Sequence, residues 1–276
     1  MTSLSAFPST RALVDKYELR AARALGQNFL IDSNITHNIA RVAGIKTGEH
    51  VIEVGPGPAS LTRELMQTSA ASITAIELDE RCLPLLQEFV DMSEDKLRII
   101  HADAMKVAIE KEVAAPRVIV ANLPYNVATP LLIGWLTMIA ENPESISRMT
   151  LMFQKEVAER IAAAPNSKNY GRLSIMSQWL CEVDYNFDVP PTAFLPAPKV
   201  TSAIVTLSAR KEPLYEADFK TLEKLVATAF NQRRKMLRQS LKSYGGEAFL
   251  ESAHIDPTRR AETLSVEEFC QLARAI

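Results

Sequence analysis

Short apolar runs alternate with longer amphipathic stretches through the first two-thirds of the chain, a pattern that predicts alternating strands and helices. The runs at 51–54, 73–77, 97–101, 118–121 and 149–153 are rich in Val and Ile with little polar alternation, as parallel strands buried on both faces require. Helices are predicted between them, including 61–67, 83–92 and 131–140, the last opened by Thr129 as N-cap and Pro130 in its first turn. The stretch 188–199 carries Pro190, Pro191, Pro196 and Pro198 and reads as an ordered loop. A strand over 200–207 follows, with Val200, Ser202, Ile204 and Thr206 along one side, and is expected to pair antiparallel at the sheet edge. Beyond Pro213 no strand-like run remains. Helices over 219–230, 233–242 and 266–275 place a helical second domain at 212–276, after an α/β domain at 1–211.

The length of 276 residues suits this division, and a hydrophobic content of 47% is enough to build a sizeable core. The net charge of -2 carries no signature of nucleic-acid binding, so that question moves to local clusters. Arg233, Arg234, Lys235, Arg238 and Lys242 form one such cluster, and Arg11, Lys16, Arg20 and Arg23 form another. On a helix such cations usually make a solvated face; they become phosphate ligands only when something else indicates RNA. Cys82, Cys181 and Cys270 are far apart and without a CxxC pair, which argues for buried free thiols and against a disulfide framework or a zinc site. No apolar run reaches membrane-spanning length and the first residues lack the order of a secretory signal, so a cytoplasmic protein is expected.

The chemistry concentrates at predicted strand ends. Glu53-Val54-Gly55-Pro56-Gly57-Pro58-Ala59-Ser60 links a strand to a helix through a glycine turn that lets a ligand approach the backbone, although Ser60 stands where a dinucleotide fingerprint has its third glycine. Glu77 ends the next strand, where a carboxylate can accept both hydroxyl hydrogens of a ribose. Asp103 follows the third strand, within reach of an adenine amine. Asn122-Leu123-Pro124-Tyr125 follows the fourth. Four loops thus converge on the edge where open parallel sheets bind ligands. An exocyclic amine of adenine is a poor nucleophile because its lone pair is delocalised into the ring. The Asn122 side-chain oxygen and the Leu123 carbonyl can hold its N–H groups while Tyr125 offers a ring for stacking, so that orientation supplies the rate.

These motifs, with Leu25-Gly26-Gln27-Asn28-Phe29-Leu30, Phe153-Gln154-Lys155-Glu156-Val157, Tyr170-Gly171-Arg172-Leu173-Ser174 and Phe230-Asn231-Gln232-Arg233-Arg234-Lys235, make the chain resemble the small-subunit ribosomal RNA adenine N6,N6-dimethyltransferase family nearly end to end. The resemblance implies a Rossmann-like S-adenosylmethionine-dependent methyltransferase sheet with a small C-terminal all-helical domain that binds RNA. It implies that Asn28 and Leu30 meet the cofactor together with Gly55, Glu77, Asp103 and Asn122, and that residues 1–30 form a basic segment and cofactor lid. Phe194 becomes the second aromatic of the adenine pocket, opposite Tyr125, and Arg233, Arg234, Lys235 and Arg238 become RNA contacts. The implied substrate is a pair of adjacent adenosines in the 3′-terminal hairpin of small-subunit ribosomal RNA within an assembling subunit, acted on by a monomer. Ala59 occupies a place where the family often has a further glycine.

Three other functions share parts of this pattern. A methyltransferase for DNA or large-subunit rRNA has the same cofactor site, but DNA enzymes usually carry a second proline where Leu123 stands. An RNA-binding assembly factor with little turnover has no need of Asn122 to Tyr125. An NAD-dependent oxidoreductase is disfavoured by Ser60 and by the lack of an evident catalytic acid.

Overall fold

Alternation at every second residue divides the molecule into layers. Ile52 and Val54 belong to one hydrophobic cluster and Val51 to the other; Ile119 and Ala121, against Val118 and Val120, repeat the division one strand away. The computed structural model describes residues 7–21 and 27–276 and shows a central sheet covered by helices on both faces. Arg23, Leu25 and Gly26 lie outside the described residues.

The elements run α1 (Thr10–Lys16), β1 (Phe29–Leu30), α2 (Ser33–Ala43), β2 (His50–Val54), α3 (Ser60–Met66), β3 (Ser72–Glu77), α4 (Leu83–Met92), β4 (Leu97–His101), α5 (Ile109–Glu112) and β5 (Arg117–Asn122). There follow α6 (Tyr125–Glu141), β6 (Arg148–Gln154), α7 (Lys155–Ala162), α8 (Arg172–Leu180), β7 (Cys181–Val189), β8 (Phe194–Leu195) and β9 (Ser202–Ala209), then α9 (Phe219–Asn231), α10 (Leu237–Ser240), α11 (Glu247–Ser252) and α12 (Val266–Arg274). The main sheet has the order β4-β3-β2-β5-β6-β9-β7. Strands β2 to β6 are parallel, and β9 runs antiparallel to both β6 and β7. The chain leaves β2 toward β3 and later returns to its other side as β5, so the loops after β2 and β5 diverge and open a crevice at the carboxyl edge.

Two predicted features change place. The strand predicted over 200–207 lies inside the sheet, because β7 covers its outer side. That edge strand escapes the pattern search: Glu182, Asp184 and Asn186 interrupt its apolar positions, a shift between Tyr185 and Phe187 breaks its register, and much of it faces solvent. Val200, expected in the strand, precedes it and is exposed. Helix α6 starts at Tyr125 with Pro124 as its N-cap, so Pro130 stands inside the helix and not in the first turn predicted from Thr129. Six buried apolar residues along α6, from Ala128 to Ile139, outweigh the backbone hydrogen bond that Pro130 forgoes.

The helix predicted over 233–242 shrinks to α10. Gln232 leaves helical geometry at φ -124° and ψ 56°, and the Leu237 and Arg238 amides donate to the Arg259 and Pro257 carbonyls at 2.8 and 3.1 Å. Tertiary hydrogen bonds therefore replace the helical ladder. The C-terminal helices are tied to the sheet layer by packing. Leu222, Leu225, Val226 and Ala229 of α9 and Phe269, Leu272 and Ala273 of α12 share one apolar cluster with Ile52, Ile119 and Leu132. Capping fixes both helices at their starts: Asp218 accepts from the Thr221 amide at 2.8 Å, and Ser265 and Glu268 form a reciprocal box. All three cysteines are buried free thiols.

Candidate active site

The turn after β2 reverses the chain through left-handed geometry at Gly55 (φ 70°), Gly57 (φ 51°) and Ala59 (φ 62°). This places the Gly57 amide 2.9 Å from Glu77 Oε2, to which it donates, while the Asp79 amide donates to Oε1 at 2.7 Å. Backbone donors on both oxygens, with the Leu78 amide also acting on the group, thus fix the plane of the Glu77 carboxylate in the cleft wall. Burial raises the Glu77 pKa against the pull of those amides.

Asp103 caps the short 3-10 turn Ala104–Lys106 by accepting from the Met105 amide at 3.0 Å, and its Oδ2 lies 3.8 Å from Lys106. Leu78 and Met105 are 53% and 50% exposed, yet both line the same cleft as Asp103 and Glu77. Large apolar side chains left open beside strand-end carboxylates provide faces for a planar ring. Sequence pattern passes over both, because single apolar residues in loops carry no period.

Asn122 ends β5, and its side-chain amide has no hydrogen-bond partner among the described residues. The Leu123 side chain is buried, whereas its carbonyl receives no backbone N–H among the described residues; the first turn of α6 bonds back to Pro124 instead. Tyr125, the first residue of α6, is anchored by a 2.7 Å hydrogen bond between its hydroxyl and Ser202 of β9. Phe194 is 4% exposed and lines the same cleft. It is held by β8, which pairs antiparallel with β1 in the register Leu30 to Phe194 and Phe29 to Leu195. That two-stranded pairing brings Asn28 and Leu30 into the cleft wall, with the Phe29 ring about 3.4 Å from where a Cβ on Gly57 would stand.

Every residue expected to meet the cofactor or the base, namely Asn28, Leu30, Gly55, Glu77, Asp103, Asn122, Leu123, Tyr125 and Phe194, lines this one cleft. Glu53, which the sequence pattern treats only as the start of the turn, lines it too. It is 1% exposed, its Oε2 has no partner, and burial pushes its carboxyl up to about 8. Among the described residues the lining includes Glu53, Glu77 and Asp103 but no Lys or Arg. With the Glu53 carboxyl neutral below about pH 8, Glu77 and Asp103 give the cleft its acidic character, which suits a cationic ligand and disfavours one that carries phosphates.

The predicted RNA contacts divide. Arg233 donates through Nε to Glu262 at 2.8 Å and through Nη2 to the Ser167 carbonyl at 3.3 Å, which uses it to join the loop before α8 to the C-terminal region. Arg238 stands 3.8 Å from Glu247. Arg234 and Lys235 are exposed on the turn after α9 with no acidic partner among the described residues. In the N-terminal cluster, Lys16 is paired with Glu88 at 2.8 Å.

Comparison with known proteins gives one family over nearly the whole chain. A family model described as ribosomal RNA adenine dimethylase matches residues 19–276. A protein of Dinoroseobacter shibae named ribosomal RNA small subunit methyltransferase A is 52% identical, the alignment covering 100% of this chain and 99% of that one. Its namesake in Mesorhizobium japonicum is 51% identical, with 99% and 100% covered. Among solved structures, a dimethyladenosine transferase from Plasmodium falciparum aligns with a TM-score of 0.73 at 25% identity, covering 87% of this chain and 94% of that one. The 23S rRNA methyltransferase ErmE aligns with a TM-score of 0.67 at 27% identity, covering 90% and 99%.

Proposed function

The chain belongs to the ribosomal RNA adenine dimethylase family, and from that premise we propose that it dimethylates the N6 amines of two adjacent adenosines in the 3′-terminal hairpin of small-subunit ribosomal RNA, with S-adenosylmethionine as donor. The observation that carries this reading is the pair of unengaged acceptors, the Asn122 amide oxygen and the Leu123 carbonyl, in one cleft with Glu77, Tyr125 and Phe194.

The residues present fit the cofactor. Bound there, S-adenosylmethionine supplies an electrophilic methyl group on a cationic sulfonium. Glu77 would hold the ribose hydroxyls and Asp103 the adenine amine, with Leu78 and Met105 offering apolar surface beside them and Asn28, Leu30, Gly55 and Asn122 completing the wall. The Glu53 carboxyl, which burial keeps protonated up to about pH 8, lines the same wall as a neutral group with one unpartnered oxygen. At the target, Asn122 and Leu123 accept the amine N–H groups and direct its lone pair toward the methyl, and Tyr125 and Phe194 hold the extruded base. No side chain must act as a strong base, because the amine becomes acidic on methylation and sheds its proton to water. The region 212–276 supplies the RNA-binding surface, with Arg234 and Lys235 as phosphate ligands and Arg238 beside them. The protein acts as a cytoplasmic monomer on an assembling small subunit; among the described residues no helix is long and apolar enough to cross a membrane.

Incubation with labelled S-adenosylmethionine and unmethylated small ribosomal subunits tests this directly. Two adjacent dimethylated adenosines are expected. Label confined to large-subunit rRNA or DNA, or none in any substrate, overturns the assignment. In the same assay Asn122→Ala should lower kcat on the order of 10²-fold, the scale of one lost transition-state hydrogen bond, with RNA affinity within about twofold.

A further inference from the structure

Two residues beyond Glu77, the buried carboxylate of Asp79 is the hub of a network that none of the steps above uses. Arg81 donates to it through Nε at 2.8 Å and through Nη2 at 2.6 Å, and Gln27 Nε2 donates to Oδ2 at 2.8 Å. The same guanidinium reaches two points of the N-terminal segment: Nη1 donates to the Arg20 carbonyl at 3.1 Å and Nη2 to Gln27 Oε1 at 3.4 Å. Through its own amide Asp79 donates to Glu77 Oε1 at 2.7 Å. From the strand end of β3 the network thus continues to Gln27, and the next three residues are Asn28, Phe29 and Leu30. Leu30 pairs with Phe194, while the Phe29 ring lies against Gly57.

We propose that Arg81 and Asp79 are positioning residues that fix Gln27 to Leu30 across the cleft, setting Asn28 for the cofactor and, through the pairing of β1 with β8, Phe194 for the target base. This rests on the cofactor assignment given above. An exposed ion pair contributes little, but here the carboxylate is 4% exposed and engaged through both oxygens, a geometry in which charge-assisted bonds transmit position. The Arg81 bonds also hold the Asp79 carboxyl down to about 2, which favours its charged form. Arginine is needed for its shape. A guanidinium has five donors in one plane and serves Asp79, the Arg20 carbonyl and Gln27 together, whereas a lysine ammonium is a point charge that satisfies Asp79 alone.

The test is the Kd of S-adenosylhomocysteine, measured by calorimetry on the full chain, with thermal unfolding alongside. Arg81→Met should weaken binding about tenfold, the worth of one orienting charge-assisted bond, and Arg81→Lys should recover only part of that. Gln27→Ala should weaken binding to a similar degree. The double variant should be no worse than the weaker-binding single, because both substitutions break the same link. Unchanged affinity in Arg81→Met, full recovery in Arg81→Lys, or effects that add in the double variant would each overturn the positioning role. If unsubstituted protein fails to bind S-adenosylhomocysteine, the cofactor assignment itself falls. If it binds and Glu77→Ala abolishes binding, that assignment stands whatever Arg81 does.

Discussion

Burial pushes the Glu53 carboxyl up, and the charge of nearby Glu77 adds to the effect. Glu53 therefore keeps its proton up to about pH 8 in the folded chain, against an ordinary value of 4.5. Between those values the unfolded chain binds fewer protons than the folded one, so stability falls as pH rises, and it levels off above 8. Glu53→Gln keeps the shape and removes the titration. Its stability advantage over the natural protein should be absent near pH 4.5 and grow to a plateau near pH 8, as denaturation of cofactor-free protein across that range will report. Parallel stability curves for the two proteins would contradict the assignment. At this scale residue identity was legible but environment was not. Glu77 and Asp103 stand out as strand-end carboxylates, whereas Glu53 looks like a lone polar residue in an apolar strand until its burial and its unpartnered oxygen are known.

At the scale of elements, the turn after β2 puts two residues under opposite demands. Gly57 and Ala59 are both left-handed, a conformation that a Cβ makes costly by about 1–2 kcal/mol. Gly57→Ala would add that strain and bring a methyl to within 3.4 Å of the Phe29 ring, so we expect a loss of about 1–2 kcal/mol. Ala59→Gly would relieve strain of about 1–2 kcal/mol but empty a fully buried methyl site, about 0.8 kcal/mol, and loosen the unfolded chain, about 0.4–1 kcal/mol, and should come out near neutral. Urea denaturation of both variants checks the contrast, which fails if they shift stability equally. The offset accounts for an alanine standing where the family often has glycine. Most strands and helices were legible because apolar periods of 2 and 3.6 are set by backbone geometry. The start of α6 was not, since a proline normally marks a first turn and only the packing of Ala128 to Ile139 decides otherwise. Edge strand β7 was missed because half of it owes nothing to the core.

Over the whole molecule, charge separates structural cations from those available to RNA. Arg234→Glu with Lys235→Glu should weaken RNA binding and reduce the slope of log K against log salt by about 2, near one unit for each lost phosphate contact. Arg233→Ala should leave the slope unchanged and lower stability by no more than about 1 kcal/mol, because its pair with Glu262 is partly exposed. A slope untouched by the double reversal would remove this turn from the RNA interface. Spacing places all these cations together, but it does not tell which of them a carboxylate from 29 residues further along will claim. The same limit runs through the protein. The sequence by itself determined the parallel α/β order, the glycine turn and the strand-end residues, since each depends on neighbours a few positions away. Tertiary structure alone decided that Arg81 ties Gln27 to Asp79, that β8 carries Phe194 to Leu30, and that the Glu53 carboxyl is raised to about 8, because each depends on groups brought together from distant parts of the chain or on burial that no local pattern encodes.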